Sequence, residues 1–487
     1  MNVLLLNPPF HPRFSREQRS PAVTKGGTFY YPMWLAYATG VLERAGFNVK
    51  LVDAPADGKD LQSVLDVVKD FRPGLVVLDT STPSIHNDVQ VTEAIKEVSR
   101  DVVAILVGPH VSALPTETLT MSTRIDAVAR GEYDFTILDC ARRLSEGGSL
   151  AGIEGLTYRQ NGETIHNPAR PFIEDLDALP FVSRVYKQHL NVGQYFYAHG
   201  RYPIVVTVAG RGCPFQCTYC VYPQTFVGRK YRARGIDNVI DELQFVREAF
   251  PHVKEVMFED DTLTVNRNRV RDLCARIVER RLNIEWSANS RPDLDYETLR
   301  MMKEAGCRLL CVGMESGDQT ILDRIKKKMT VEKIRQFVAD ARKAKVLVHG
   351  CFMFGNPGET EQTIRTTIEL AKDLPLDTAQ FFPLMVYPGT ESYDWMRGNG
   401  YLRSEDFRQW LTPEGLHNCM IDLPGLSAER LVEWCDRARR AFYLRPRYIL
   451  AKLIQGLGSV QDAKKLMRSS RSFFRHLFLG TYKLGER

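Results

Sequence analysis

The sequence predicts an α/β protein in three parts: an N-terminal doubly wound parallel sheet, a partial (β/α)6 barrel and a C-terminal helical region. Two observations carry this reading. Short apolar runs alternate with helical patterns in two separate stretches, and a proline-punctuated break divides them. A third observation says where the chemistry lies: three cysteines, Cys213-x3-Cys217-x2-Cys220, follow the first strand of the second stretch.

Residues 1–145 hold the first alternation. Its strands are expected at Val3–Leu6, Val49–Asp53, Leu75–Asp79, Val102–Val107 and Ala127–Arg130, with helices near 32–45, 59–70, 86–99 and 133–145. Such sheets bind ligands beyond the carboxyl ends of their strands. The loops Asn7–Phe10, Thr80–Ser84 and Gly108–Ser112 lie there. Residues 146–200 read as a linker. It contains a hairpin turned at Asn161-Gly162, and Pro168, Pro171 and Pro180 follow. Residues 201–400 resume the alternation, with strands near 204–209, 254–259, 284–289, 308–313, 347–353 and 379–385. Barrels carry their chemistry at the C-terminal ends of the strands, and the cysteine loop falls at such an end. Residues 401–487 carry helical patterns near 427–443, 447–456, 460–468 and 471–478.

Composition narrows the class. The 487 residues are 44% apolar and 25% charged, as in soluble globular proteins. No apolar run approaches the roughly 20 residues of a membrane span, and no basic, apolar leader opens the chain. A cytoplasmic protein is expected. Ten cysteines, three of them in one loop, point to a reducing compartment rather than a disulfide scaffold. Cys140, Cys274, Cys307, Cys311, Cys351, Cys419 and Cys435 read as buried small hydrophobes. The net charge of +6 is uneven. From Arg437 onward, thirteen Lys and Arg face two acids, so the tail carries +11. Large apolar residues interleave with these cations in Arg439–Ile454 and Ser470–Leu479. The pattern suits either a lipid interface on the inner face of the membrane or a helical cap with a solvated basic face.

Three thiolates can hold three irons of a [4Fe–4S] cube and leave the fourth open to a ligand. The triplet, with Tyr219 before its last cysteine, resembles the signature of the radical S-adenosylmethionine (SAM) superfamily. The resemblance implies that the open iron binds SAM. A reduced cluster then cleaves SAM to methionine and a 5′-deoxyadenosyl radical, which abstracts a hydrogen from substrate. It also implies that Glu259, Asp260 or the backbone beside them accept the SAM amino group. Arg291, with Ser290, would meet the carboxylate, and Glu315 would accept from the ribose hydroxyls. Gly355 and Gly358 would let the backbone approach adenine. An external electron donor of flavodoxin or ferredoxin type is implied as well.

A doubly wound Rossmann domain ahead of such a barrel resembles the cobalamin-binding class. Gly108–Pro115 and Gly131–Asp134 look like segments of those front domains. The Asp-x-His-x-x-Gly motif of base-off cobalamin proteins is absent, so no histidine is assigned to cobalt. Ser81 and His110 lie in the expected cobalamin region. The whole length resembles the magnesium-protoporphyrin-cyclase-like group. Its opening Ser15–Trp34 is most similar to the hopanoid-biosynthesis-associated radical SAM proteins of type J. That resemblance implies ring contraction of a sugar headgroup on bacteriohopanetetrol to a cyclitol ether. A C-methyltransferase or an oxidative cyclase on another amphiphilic substrate is the alternative. A non-catalytic sensor is disfavoured, since it needs no ribose or carboxylate clamp. A nucleic-acid partner is not expected, because the small β-barrel that methylthiolating members append is not seen.

Overall fold

The computed structural model describes residues 1–457. The front sheet has seven strands in the order β2-β1-β3-β4-β5-β6-β7. β1 (Asn2–Asn7), β2 (Asn48–Asp53), β3 (Leu75–Asp79), β4 (Val103–Val107) and β5 (Ala127–Ala129) run parallel. Helices cover both faces, so the central strands read as continuous apolar runs. Alternation along each strand sorts the side chains. Leu4, Leu6, Val76, Leu78, Ala104 and Leu106 form a separate core with Val64, Val68, Val89 and Ile95 of the helices outside. Val3, Leu5, Leu75, Val77 and Ile105 join the core that continues into the barrel.

The hairpin expected in the linker instead completes this sheet. β6 (Leu156–Gln160) pairs antiparallel with β5, and β7 (Glu163–His166) with β6. Asn161 and Gly162 both take positive φ, 49° and 85°, as a tight hairpin of this kind requires. β5 is only three residues long, and the hairpin covers the edge it would otherwise expose.

The second sheet is open, with six parallel strands ordered β8-β11-β12-β13-β14-β15. They are β8 (Ile204–Thr207), β11 (Glu255–Phe258), β12 (Trp286–Ser290), β13 (Cys307–Glu315), β14 (Leu347–Phe354) and β15 (Thr378–Pro383). Between β8 and β11, β9 (Gly210–Arg211) and β10 (Arg232–Ala233) form a short antiparallel ribbon. The intervening helices start on side-chain caps: Asn266, Asp295, Thr330 and Thr360 each accept a backbone N–H of the first turn. The helix Ala428–Tyr443 packs on β15, where Tyr443 donates to the Ala379 carbonyl at 2.6 Å. A further helix, Pro446–Leu457, follows. The helices expected at 460–468 and 471–478 lie outside the described residues.

Two buried ion pairs clamp the front sheet to the ribbon. Arg211 donates to both oxygens of Asp134, and Arg232 donates to both oxygens of Glu132. The Arg211 guanidinium also lies 4.7 Å from the ring centres of Trp34 and Tyr37. Gly131–Asp134, read from sequence as a front-domain segment, is therefore also the docking edge.

Candidate active site at the barrel strand ends

The cysteine loop is built on glycines that let two chains approach closely. A Cβ at Gly210 would lie 2.5 Å from the Tyr231 ring, and one at Gly212 would lie 2.2 Å from the Lys230 carbonyl oxygen. From there the chain passes Cys213, Cys217 and Cys220 and enters the helix Val221–Thr225. The loop is held from outside. Thr218 N donates to the Ile325 carbonyl, and Ser392 N and Oγ both donate to Thr218 oxygens.

All three thiols are free of disulfides, with Cys217 buried and the other two partly so. Burial pushes Cys213 up to about 11 and Cys220 higher still, and Asp261 and the neighbouring thiols add to both shifts. Both shifts hold Cys213 and Cys220 as neutral thiols without a cation; positive metal centres would convert the thiols to thiolate ligands. Among the described residues no three His, Cys, Asp or Glu groups close around a single ion. The thiols share one locality, with Cys220 sensing Cys213 and Cys217, and three such donors suit three irons of a cube.

The other expected residues stand around this loop. Glu315 ends β13 at a positive φ of 65°, where the pairing with β14 shifts register. Its Oε1 accepts from Tyr219 Oη at 2.8 Å and from Lys327 Nζ at 2.7 Å. A Cβ at Gly313 would lie 2.3 Å from that same oxygen, so glycine makes the room. Arg291 lies flat against Phe215, its Cζ 3.6 Å from the ring centre, and donates through Nη2 to the Lys327 carbonyl. Ser290 donates to the Arg291 carbonyl at 2.8 Å and lies 3.1 Å from Thr264 Oγ1. Glu259 Oε1 accepts from Arg19 at 2.7 Å, while its Oε2 is buried without a hydrogen-bond partner.

Asp260 departs from expectation. Its Oδ2 accepts from Ala209 N at 2.9 Å and its Oδ1 from Tyr231 at 3.0 Å, and burial pushes it up to about 7. The carboxyl ties the end of β11 to the end of β8, which leaves only its carbonyl to face the site. The Gly355–Glu359 loop packs against the C-terminal region. A Cβ at Gly355 would meet Ile421 at 2.8 Å and Leu431 at 3.1 Å, so this glycine serves packing against the C-terminal region.

Three residues escaped the sequence reading. Asp261 is the carboxylate whose charge Cys213 and Cys220 sense; the Asp260-Asp261 doublet was its signal. Lys327 sits in the run Lys326-Lys327-Lys328, which reads as solvated charge, yet it is only 5% exposed. Arg19 comes from the front domain, 240 residues from Glu259, and no local pattern marks it.

In the front domain, Ser81, Thr82, Pro109 and His110 face Val221, Tyr222 and Tyr387 across a cleft. His110 Nδ1 lies 3.1 Å from Thr82 Oγ1 and its ring meets Phe407 edge-on; burial drives its pKa down to about 3. Ser81 Oγ lies 2.7 Å from Ser84 Oγ, which donates to Asp88. The residues expected near cobalamin are thus gathered in one place. Arg16, Gln18 and Pro21 also line the cleft, and its volume is only about 20 Å³. Pockets for ligands of ordinary size hold roughly 300–1,000 Å³. The cleft is narrow between these elements.

Residues 207–371 match the radical SAM superfamily and residues 19–139 match the B12 binding domain. The chain is 31% identical over 461 residues to an uncharacterized methyltransferase, PH0819, of Pyrococcus horikoshii, covering 94% of this chain and 96% of that one. It is 26% identical over 401 residues to the anaerobic magnesium-protoporphyrin IX monomethyl ester cyclase of Rubrivivax gelatinosus, covering 81% of this chain and 69% of the cyclase. The fold is that of the radical SAM methyltransferase TsrM from Kitasatospora setae, with a TM-score of 0.72 and 18% identity over 97% of this chain and 99% of TsrM. With both domains present and an end-to-end relative, the chain belongs to the B12-binding enzymes of the radical SAM superfamily, whose cofactors are an iron–sulfur cluster, S-adenosylmethionine and cobalamin.

Proposed function

We propose that Cys213, Cys217 and Cys220 hold a [4Fe–4S] cluster and that the residues around them clamp SAM. The observation that supports this most is the gathering of unlike groups at the ends of successive strands: thiols after β8, carboxylates after β11, Arg291 after β12 and Glu315 at the end of β13. When bound and reduced, the cluster supplies the electron that cleaves SAM and so starts radical chemistry on the substrate. Glu259 and the carbonyls beside it accept the ammonium. Arg291, held flat by Phe215, offers its fork to the carboxylate. Glu315, steadied by Tyr219 and Lys327, would accept from the ribose hydroxyls.

For the substrate we propose a hopanoid lipid headgroup, a glycosylated bacteriohopanetetrol contracted to a cyclitol ether. The resemblance of Ser15–Trp34 supports it, as does the apolar surface near the described end of the chain, where Leu444, Ile449 and Leu450 are 41%, 43% and 60% exposed. An amphiphilic substrate and peripheral contact with a membrane suit such a surface. No described helix is long and apolar enough to cross a membrane. Part of the basic tail is spent on the protein itself: Arg437 pairs with Glu433, Arg439 with Asp436 and Lys452 with Asp377.

A second reading is a cobalamin-dependent C-methyltransferase, favoured by the end-to-end relative that carries a methyltransferase name. Product mass separates the two. Enzyme loaded with cluster and cobalamin, given SAM, reductant and the glycosylated lipid, should return a product without the mass of an added methyl group. A product heavier by about one methylene would overturn ring contraction and establish methylation.

A further inference from the structure

Arg19 leaves the front domain and lays its guanidinium on the end of β11. Nη1 donates to Glu259 Oε1 at 2.7 Å. Nη2 donates to the Asp260 carbonyl at 3.0 Å and the Glu259 carbonyl at 3.3 Å, and lies 3.5 Å from Asp261 Oδ1. Four oxygens, two from carboxylates and two from the backbone, surround one cation. The strap that carries Arg19 is fastened on both sides of it. Arg16 is fully buried against Asp88 at 2.7 Å, and Ser20 Oγ lies 3.1 Å from Tyr387 Oη and 3.0 Å from His417 Nε2. The Arg19 side chain itself is 32% accessible, against 12% for Glu259 and 6% for Asp261. It is the most accessible of the three, and its long side chain has room to swing aside while the strap stays in place.

These oxygens include those assigned above to the ammonium of SAM, and a guanidinium and an ammonium cannot share them. We infer that Arg19 is a resident counter-ion of the SAM ammonium site and that SAM displaces it on binding; the inference rests on Glu259 being the ammonium acceptor. The physical reason for such a residue is charge. Glu259 and Asp261 lie nearly buried within three residues of each other beside the cysteine loop. Left without a cation they would repel each other and pay an uncompensated desolvation cost. Arg19 offsets one of these two charges in the free enzyme, and the incoming ammonium takes over that task. The cost falls on SAM affinity. If Arg19 occupies the set nine-tenths of the time, apparent affinity drops about tenfold.

Direct binding to the cluster-loaded enzyme tests this, by equilibrium dialysis against SAM and against 5′-methylthioadenosine, which lacks the ammonium. Arg19→Met should bind SAM several-fold more tightly than the unaltered protein and bind 5′-methylthioadenosine equally. Arg19→Lys keeps the charge on a shorter, unforked head and should fall between. Glu259→Gln should weaken SAM and leave 5′-methylthioadenosine unchanged. Unchanged or weaker SAM binding by Arg19→Met, with Glu259→Gln weakened, overturns the role of Arg19 and leaves the ammonium site standing. SAM binding that Glu259→Gln leaves intact overturns the ammonium site itself. Should Arg19→Met fail to fold, Arg19→Gln gives the same reading, since it too removes the charge.

Discussion

Lys327 Nζ lies 2.7 Å from Glu315 Oε1, and each side chain is only 6% accessible. The pair joins three parts of the site, because Tyr219 donates to the same Glu315 oxygen and the Lys327 carbonyl accepts from Arg291. Breaking a buried pair on one side strands a charge and costs about 3–5 kcal/mol. Lys327→Met should therefore lower the thermal midpoint by several degrees and raise the KM for SAM. Lys327→Arg should recover most of the midpoint. Thermal unfolding of the three proteins checks it; an unchanged midpoint for Lys327→Met contradicts it.

The clamp between the two sheets makes a second prediction. Arg232→Met takes away the guanidinium that meets both oxygens of buried Glu132 and leaves it Arg211 at 3.6 Å and the Ile173 N–H, so the cost should approach the lower end of about 3–5 kcal/mol. Removing both charges, as Arg232→Met with Glu132→Leu, should cost less than the single change. Denaturant unfolding of both variants measures this, and a double variant weaker than the single would refute the electrostatic account.

Glu359 gives stability a pH dependence. Its Oε2 accepts from Gly355 N at 2.6 Å and Asn356 N at 2.9 Å, but burial outweighs these bonds and pushes it up to about 7. A carboxyl raised in the folded state holds its proton there longer than in the unfolded chain. Its contribution is full below the unfolded value near 4.5 and is lost as pH rises through about 7, by up to about 3 kcal/mol. Glu359→Gln should flatten stability between pH 5 and 7. Denaturant midpoints across that window decide; identical slopes for the two proteins would contradict it.

Removal of residues 458–487 should leave the described fold intact and weaken sedimentation with anionic vesicles at low salt, since those residues hold most of the remaining basic charge. High salt should release the full-length protein. Equal vesicle binding by both proteins would make the tail no part of any membrane contact.

The parallel strands and the cysteine loop were legible because each is written locally, in runs of Val, Leu and Ile or in a fixed spacing. What lay hidden was long-range. The hairpin at Asn161-Gly162 could be read, but not its pairing of Ala127 with Tyr158, which depends on the open edge of β5. Asp260 looked available beside Glu259. Its engagement by Ala209 and Tyr231 appears only when β8 and β10 are brought alongside. Lys327 looked solvated because its neighbours are lysines; Lys326 and Lys328 both take positive φ, and the turn they make carries Lys327 inward. Arg19 offered no local clue, since its partners are 240 residues away.

The central claim is that Cys213, Cys217 and Cys220 together support reductive cleavage of SAM. The direct measurement is 5′-deoxyadenosine released from SAM by anaerobically reconstituted, reduced protein, alongside iron content. The unaltered chain should hold about four irons and release 5′-deoxyadenosine, while Cys217→Ala should bind less iron and release none. Cys140→Ala, which alters a buried thiol of the front domain, should behave as the unaltered chain. Full release of 5′-deoxyadenosine by Cys217→Ala would contradict the account.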